Sequence, residues 1–546
     1  MTMAVKRTPG AGAPDGVRPV AAVRTPVLRR PVVRVRLLAG AALVLTAALR
    51  LVGVRGSGDL FIDELIYREI GVHAVGGGFP RTDDGLFFLH PPGFFSLQAG
   101  WALATGTGSD VVSGIYAFRE LNALLAGVTA ALLVLLVARA RSLPLAGAAA
   151  LLFALDPYLV RQNDRVMLDT AAVMWVLAGY LVLLPLTARP QPRPSLVRGR
   201  ACAAGLLFSL ALLTKDHTAL IVLLPLLLGA ALGRGLPRRE LLRTAAVAVV
   251  PYGLYVLAVA AAGHFDLFWS TKTHGVRRLL GIVQETGFNA GQGPPLTSRL
   301  AEELSTFGPT YVLLLLGVPA LVVLLRRGDP RHLLLALFQL SAGFTLVYAF
   351  AFGTLEEQAL YLLVVPNLVA VAVACPRLPG RPPRRRGRLR AAACAGAGAV
   401  LVVSTVFSGL SYARVRSEPD TGFAQLRAYL AAHVPPGTAL AAADGRTTRG
   451  VTEWALKDHY RVGTWVTPED RAAAGARYVV VPWKLVRDGY ARLDAPAVER
   501  LVAPGRLLFS VDGRTYGTLA LYLVPLPGGP PSPPGGPVPP AAPRSP

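Results

Sequence analysis

The chain has 546 residues, of which 53% are hydrophobic and only 16% are charged, and its formal net charge is +24. A soluble protein of this length rarely hides so much apolar surface, so the composition excludes an ordinary soluble protein and indicates a multi-span membrane protein. The positive charge does not indicate nucleic-acid binding, because the arginines stand in short clusters between apolar runs, as membrane topology signals do.

Apolar runs long enough for helical spans recur along the chain, and about eleven spans are expected. The runs cover residues 37–54, 115–138, 143–160, 170–187, 201–214, 217–232, 243–262, 306–325, 332–352, 359–375 and 391–411. With the N-terminus inside, the inner segments hold most of the Lys and Arg residues, while the outer segments hold most of the Asp and Glu residues. The positive-inside rule therefore predicts a multi-pass cell-membrane protein with a cytoplasmic N-terminus.

The predicted organisation has four parts. Residues 1–36 are a basic cytoplasmic segment, 37–411 a transmembrane catalytic domain, 412–524 an extracytoplasmic α/β domain, and 525–546 a disordered Pro/Gly-rich tail. The expected fold class is thus an all-α polytopic membrane protein with outer juxtamembrane helices, plus a small C-terminal α/β domain.

Three stretches predict the elements of the C-terminal domain. "GFAQLRAYLAAH" has the spacing of an amphipathic helix, and "GARYVVVPW" is typical of a buried strand. "RLLFSVDGRTYGTLALYLVP" predicts a hairpin that turns around Asp512 and Gly513.

The first long outer loop, about residues 55–114, places Asp63 and Glu64 at the start of "DELIYREIGVHAV". The helical spacing of its apolar residues predicts a helix along the membrane surface, with Glu64, Arg68 and Glu69 on the polar face. A carboxylate at the start of this helix would lie at the lipid–water boundary, where desolvation raises its pKa toward that of a general base. The alternative is that the two carboxylates only mark the interface or cap the helix.

His90 follows later in the same loop, in "FFLHPPGFFSL". The two prolines after it restrict the backbone, so a rigid turn could present His90 to the same cavity as Asp63. The alternative is a plain helix start with prolines in its first turn.

The next outer stretch, "LDPYLVRQNDRVMLDTAAVMW", carries Asp164, Arg165 and Asp169. Arg165 and Asp169 are four residues apart, so on a helix they would share a face and could pair. Asp164 lies nearest the centre of the loop. We expect this stretch to meet the first loop at the outer surface, although an interfacial salt bridge alone would also explain the pair.

Cations follow in two further places. Lys215 begins a charge triplet in "LLTKDHTALIV", and such a triplet in a tight hairpin is costly unless it faces water or a charged partner. Lys215 is therefore expected either to meet a lipid-borne phosphate or to belong to a polar turn. The second long outer loop, about 263–305, offers either further phosphate partners or merely solvated charges, namely Lys272, His274, Arg277 and Arg278.

Four pieces in this order resemble the GT-C glycosyltransferases, particularly the protein O-mannosyltransferase and lipid A aminoarabinose transferase branch. They are "DELIYREIG", "HPPGFF", "DRVMLD" and "LLTKDHTAL", and the resemblance covers roughly residues 40 to 375. It implies a GT-C-like fold whose first outer loop carries the catalytic aspartate, here Asp63. It also implies a polyprenyl-phosphate sugar donor and, in some members, a divalent metal ion. Members often have "HPPL" where Gly93 stands here, and the aminoarabinose branch has a lysine in place of His90.

The sequence therefore predicts a hexosyl- or pentosyl-type transferase that moves a sugar from a polyprenyl phosphate to a hydroxyl of a protein, glycan or lipid, with inversion. Asp63 is the expected general base. The other expected site residues are Glu64 and Asp169 in the catalytic set, Lys215, Arg277 and Arg278 around the donor phosphate, and His90, Asp164 and Arg165 in contact with substrate or metal. Membrane lipids are expected partners, and nucleic acid is not.

Two other classes stay open. A transporter of a lipid-linked or anionic substrate would place ionisable residues and broken helices near the membrane midplane, whereas the acids here lie at outer ends. A membrane scaffold with an outer partner-binding domain would explain the C-terminal region but not the clustered acids.

Overall fold

The computed structural model describes residues 29–187, 193–234, 237–279, 282–283, 295–352, 360–375, 386–446 and 448–526. Most of the predicted basic N-terminal segment and nearly all of the predicted Pro/Gly-rich tail lie outside these ranges.

The first two thirds of the described chain are helical. The helices are α1 (Arg29–Leu51), α2 (Ile62–His73), α3 (Gly93–Thr105), α4 (Val111–Ala140), α5 (Leu143–Leu155), α6 (Pro157–Asn163), α7 (Leu168–Leu183), α8 (Pro194–Thr214), α9 (Thr218–Leu232), α10 (Arg238–Ala261), α11 (Phe265–Leu279), α12 (Leu296–Arg326), α13 (Pro330–Phe352), α14 (Tyr361–Ala374) and α15 (Arg386–Ser417). A small antiparallel hairpin, β1 (Arg81–Thr82) and β2 (Gly85–Leu86), lies between α2 and α3.

Each predicted apolar run corresponds to helical structure, but the number of membrane crossings is a separate question. Among the described residues, seven helices are long and apolar enough to cross a membrane, and the bent pair α5–α6, with 62° between its parts, would be an eighth. Helices α9 and α14 are apolar but have only 15 and 14 residues, fewer than a full crossing usually needs. The structure therefore supports a multi-span protein, and the count of eleven stays a prediction.

The region after α15 contains a five-stranded sheet flanked by helices. Its elements are α16 (Gly422–His433), β3 (Ala439–Ala442), α17 (Val451–Leu456), β4 (Arg461–Gly463), α18 (Pro468–Ala474), β5 (Tyr478–Pro482), α19 (Trp483–Arg487), α20 (Ala495–Val502), β6 (Arg506–Gly513) and β7 (Gly517–Leu523). The strand order is β4-β3-β5-β7-β6, with β3 parallel to β4 and β5. The predicted helix and the predicted buried strand are confirmed as α16 and β5.

The β6–β7 hairpin turns later than predicted. Strand β6 continues through Asp512 and Gly513, and the turn occupies residues 514–516. Asp512 pairs across the ladder with Thr518, whose hydroxyl donates to the Asp512 carboxylate at 2.7 Å. The positive φ of 61° falls on Gly517, where the absence of a side chain permits it.

One apolar core joins the first outer loop to the sheet. Leu60 and Leu65 pack in the same buried cluster as Phe423 of α16 and Leu519 of β7. The Tyr516 hydroxyl donates to the Leu60 carbonyl at 2.5 Å, so the C-terminal region packs directly over the start of α2.

Candidate functional site

Asp63 lies in the first turn of α2 and is half-buried. The unpaired N–H groups of a helix start favour a negative charge at this position. The guanidinium of Arg165 lies 4.3 Å from the centre of the Phe61 ring, two residues before Asp63. The structure thus brings Arg165 to the end of α2 that carries Asp63, as expected for two outer segments that meet.

Glu64, the neighbour of Asp63, is enclosed by hydrogen bonds from elements remote in sequence. Its carboxylate is fully buried and accepts hydrogen bonds from Arg119 Nε at 2.8 Å and Nη2 at 2.7 Å. It also accepts from the backbone N–H groups of Val166 at 2.9 Å and Phe61 at 3.1 Å. The carboxylate is enclosed and paired, which indicates a structural role, and membership of Glu64 in the catalytic set stays a prediction. Glu64 fastens the two outer segments to α4.

The expected polar face of α2 does not face water. Glu64, Arg68 and Glu69 are all buried. The Arg68 guanidinium donates to the carbonyl of Gly108 at 3.3 Å, and Glu69 Oε2 lies 2.8 Å from Lys457 Nζ of the C-terminal region. The helix is therefore covered by elements remote in sequence, which the local pattern could not reveal.

Asp169 and Lys215 form a buried ion pair, with Lys215 Nζ 2.7 Å from Asp169 Oδ1. The prediction that Arg165 and Asp169 share a helical face is wrong, because α7 begins only at Leu168, after a non-helical stretch. Asp169 Oδ2 is buried and has no hydrogen-bond partner among the described residues.

Asp164 is also buried, and its Oδ2 lies 2.8 Å from Arg416 Nη2 of α15. Its carboxylate anchors α15 to the second outer stretch, and the expected contact of Asp164 with substrate or metal stays a prediction. Arg416 and Arg119 were both missed by sequence reasoning. Both stand near the end of an apolar run, where topology signals have the same appearance.

His90 is buried, and its Nε2 lies 3.0 Å from the Tyr67 hydroxyl of α2. Lys272 of α11 donates to the carbonyl of Leu89, just before His90, at 3.0 Å. Burial, followed by the positive charges of Lys215 and Lys272, holds the pKa of His90 well below its usual range. His90 is therefore neutral at physiological pH, and cations from two elements lie around it.

The pKa of His217 is lowered by burial and by the same positive charges. Burial and then the charges of Lys215, Lys272 and Arg278 lower its pKa to about 3. His217 Nδ1 is buried and has no hydrogen-bond partner among the described residues. Arg278 is half-buried, whereas Arg277 is exposed, so only one of the two predicted arginines of α11 lies within the cationic cluster. We call Lys215, Lys272 and Arg278 the cationic cluster below.

An apolar groove adjoins the cluster. It lies between α3, α7 and α8 and has a volume of about 310 Å³. Its lining includes Pro92, Gly93 and Ser96 on the α3 side, Leu210 and Leu213 on α8, and Trp175 on α7. Thr214, which also lines it, immediately precedes Lys215. The groove and the cationic cluster therefore meet at one end of α8.

The arrangement offers the cationic cluster, in which Lys215 and Lys272 are paired with Asp169 and Asp216, an apolar groove next to it along α8, and a half-buried carboxylate at the start of α2. Three comparisons with known proteins bear on the function of this arrangement. A family model for dolichyl-phosphate-mannose-protein mannosyltransferases matches residues 105–273. No curated protein matches the sequence.

Solved structures share the fold over most of the chain. The crystal structure of ArnT from Cupriavidus metallidurans bound to undecaprenyl phosphate superimposes with a TM-score of 0.55 and 15% identity, covering 89% of this chain and 98% of ArnT. The oligosaccharyltransferase AglB from Archaeoglobus fulgidus, in complex with an inhibitory peptide and a dolichol-phosphate, gives a TM-score of 0.55 and 12% identity, covering 90% of this chain and 74% of AglB. The predicted resemblance to GT-C glycosyltransferases is thereby confirmed: the chain has the GT-C fold.

A metal ion is the one cofactor that the resemblance implies. An AglB crystal structure is a complex with Zn and sulfate. Among the described residues, Glu69, His73 and Asp83 form a candidate group whose ligand atoms lie within 4.8 Å of one another. The Lys457 ammonium, however, lies 2.8 Å from Glu69 and 3.9 Å from Asp83, where it would repel a divalent cation. The group therefore fits a metal poorly, and no chemical step is assigned to one.

Proposed function

We propose that this protein, a membrane protein with the GT-C fold, transfers a sugar from a polyprenyl-phosphate donor to an acceptor hydroxyl at the outer face of the membrane. One observation carries the proposal: the apolar groove ends at Thr214, directly before Lys215 of the cationic cluster. On the α3 side, Lys272 of the same cluster donates to the carbonyl of Leu89, three residues before the groove-lining Pro92. A lipid phosphate has the complementary chemistry, with an anionic head and an apolar chain.

The cationic cluster suits a phosphate that leaves with growing negative charge. Cations fixed before the reaction stabilise such charge without reorganising, and they act more strongly in a buried site than in water. His217 Nδ1 and Asp169 Oδ2 are buried polar atoms without partners among the described residues. Because buried polar atoms are nearly always hydrogen-bonded, these two support the binding of a polar ligand here. The Asp169 oxygen is an acceptor, so it suits a sugar hydroxyl and not the phosphate.

The groove suits the first part of an isoprenoid chain. Its lining is almost wholly apolar, and it begins one residue before Lys215. Burial of apolar surface would therefore hold the chain while the phosphate stays at the cationic cluster. The bound undecaprenyl phosphate of ArnT and the dolichol-phosphate of AglB, two proteins with this fold, agree with a lipid-phosphate donor.

Asp63 is the proposed general base. The acceptor oxygen attacks the anomeric carbon, its proton passes to the Asp63 carboxylate, and the bond between that carbon and the phosphate oxygen breaks. Polyprenyl phosphate leaves with the bonding electrons, and a single displacement inverts the configuration at the anomeric carbon. Arg165, beside the start of α2, contributes positive charge near the reacting groups.

The test is incubation of the purified protein with a panel of radiolabelled polyprenyl-phosphate sugars, hexosyl and pentosyl, in the presence of membrane extract as a source of acceptor. The proposal requires release of polyprenyl phosphate and appearance of label in acceptor material for at least one donor. Accumulation of intact labelled donor inside sealed vesicles, without release of polyprenyl phosphate, would instead favour a transporter.

A further inference from the structure

Gly93 occupies a place in the fold where a side chain does not fit. A Cβ atom at this position would lie 2.6 Å from the Leu213 carbonyl oxygen, 2.8 Å from its carbonyl carbon and 3.1 Å from the Thr214 nitrogen. All three atoms belong to the backbone of α8, so they cannot move aside as a flexible side chain would. The start of α3 and the end of α8 are therefore in direct contact through Gly93.

This contact lies between the two parts of the proposed donor site. Gly93 follows His90 by three residues, and Thr214 precedes Lys215 by one. Gly93, Leu213 and Thr214 also line the apolar groove. The separation of α3 and α8 at Gly93 therefore sets the width of the groove.

We infer that Gly93 is a specificity-determining residue for the lipid carrier, because it sets the width of the groove that receives the isoprene units next to the phosphate. The inference rests on the proposed function. A larger residue at position 93 forces α3 and α8 apart, so the groove no longer closes on the chain. The phosphate and sugar contacts, which lie beyond the end of α8, are affected less than the chain contacts.

The α3 side of the groove can also be altered at a position that does not touch α8. Ser96 is exposed, lies one helical turn after Gly93 and lines the same groove. Its hydroxyl donates to the Pro92 carbonyl of the preceding turn at 3.0 Å. Ser96→Leu therefore fills the groove from an accessible position. Gly100→Ala, on the same helix, is the matched control, since a Cβ at Gly100 meets nothing within 4 Å.

The experiment compares two donors that carry the same sugar phosphate, one on an undecaprenyl chain and one on a butyl group. For each protein, kcat/KM is measured with both donors, and the ratio between them reports how much the chain contributes. We expect Gly93→Ala and Ser96→Leu each to lower this ratio about tenfold, as expected when roughly two methylene groups lose their burial. Gly100→Ala should leave the ratio unchanged.

Equal losses with both donors in Gly93→Ala would mean that Gly93 only supports packing, and the inference would fall. A normal ratio in Ser96→Leu would show that the chain does not enter this groove, with the same consequence, even if Gly93→Ala does not fold. If the unaltered protein transfers sugar from neither donor nor from any other polyprenyl phosphate, the proposed function itself fails, and that result is distinct from an unchanged ratio.

Discussion

Lys215 and Asp169 neutralise each other in a buried pair, and this pairing complicates any single substitution. Lys215→Met alone would leave a buried carboxylate without a cation, which is strongly destabilising in itself. The double variant Lys215→Met/Asp169→Asn removes both charges and leaves no unpaired ion. We therefore expect it to fold and insert while its donor KM rises about 10- to 150-fold, the usual loss for a hydrogen bond to a charged group.

Unchanged donor use in the double variant would contradict a role of Lys215 in donor binding. If Lys215 only neutralises Asp169, the double variant will use donor as well as the unaltered protein. The experiment needs donor kinetics together with the melting temperature in the same detergent, so that a folding defect is recognised.

Glu64 follows Asp63 in the chain, but its carboxylate is paired with the buried guanidinium of Arg119. Glu64→Gln leaves the Arg119 guanidinium buried without a counter-charge, so we expect a loss of stability of about 3–5 kcal/mol. Asp63→Asn should cost much less stability, about 1 kcal/mol, the usual loss for a charge at a helix start. Thermal denaturation of both variants in detergent distinguishes them. A Glu64→Gln protein with unaltered melting temperature would contradict the structural role assigned to Glu64.

Single residues also show what the sequence could reveal. Asp63, His90 and Lys215 were recognisable because each stands in an unusual local context, an acidic pair, a double-proline turn and a charged hairpin. Their partners were not recognisable. Arg119 lies 55 residues from Glu64, and Arg416 lies far beyond Asp164 in the chain. Such pairs depend on how helices pack, and no periodicity within a segment encodes that.

At the scale of elements, the junction between the first outer loop and α16 is held by Asp59. This carboxylate is buried and accepts from the Phe423 N–H at 3.1 and 3.0 Å and from the Leu60 N–H at 2.8 Å. Asp420 lies nearby and is itself bonded to Thr515. Burial, and then the charge of Asp420, raise the pKa of Asp59 to about 7, although the backbone donors and Arg119 oppose the shift.

A pH dependence of stability follows from this shift. An aspartate in the unfolded chain has a pKa of about 3.9, so the folded protein binds more protons between that value and about 7. The stability contributed by neutral Asp59 is therefore complete at low pH and lost as the pH rises through about 7. We expect the contribution of Asp59 to make the melting temperature fall between about pH 4 and about pH 7. The fall over this range should be smaller in Asp59→Asn, whose amide cannot ionise.

The matched control for this prediction is Glu499→Gln, which removes an exposed carboxylate on α20. It should show the same pH dependence as the unaltered protein. Identical pH profiles for the Asp59→Asn and unaltered proteins would mean that Asp59 does not titrate in this range.

Helices and strands were easier to predict from the sequence than the residues that pack against them. The apolar runs and the strand and helix of the C-terminal region followed from periodicity, because hydrophobic spacing is a local property. The environment of α2 did not, since its polar face is covered by Lys457 and by residues next to α4. The hairpin turn was also displaced, because Asp512 and Gly513 pair within the ladder.

For the whole molecule, the first prediction concerns its orientation in the membrane. The distribution of Lys and Arg predicts the segment around residue 385 inside and the C-terminal region outside. In a protein whose native cysteines have been replaced, Glu469→Cys on exposed α18 should react with an impermeant thiol reagent in intact cells, and Arg385→Cys should react only after permeabilisation. Labelling of Arg385→Cys but not Glu469→Cys in intact cells would reverse the orientation.

The central claim is that Asp63 takes the acceptor proton while the cationic cluster holds a lipid phosphate. It is tested most directly by turnover and donor binding of Asp63→Asn and the unaltered protein in the same membranes, with release of polyprenyl phosphate as the readout. The amide keeps the size of the side chain but cannot accept the proton, so we predict a loss of turnover of about 10²–10⁴-fold with donor binding retained. Near-normal turnover in Asp63→Asn would contradict the assignment and leave Asp63 as a helix-start carboxylate at the membrane surface.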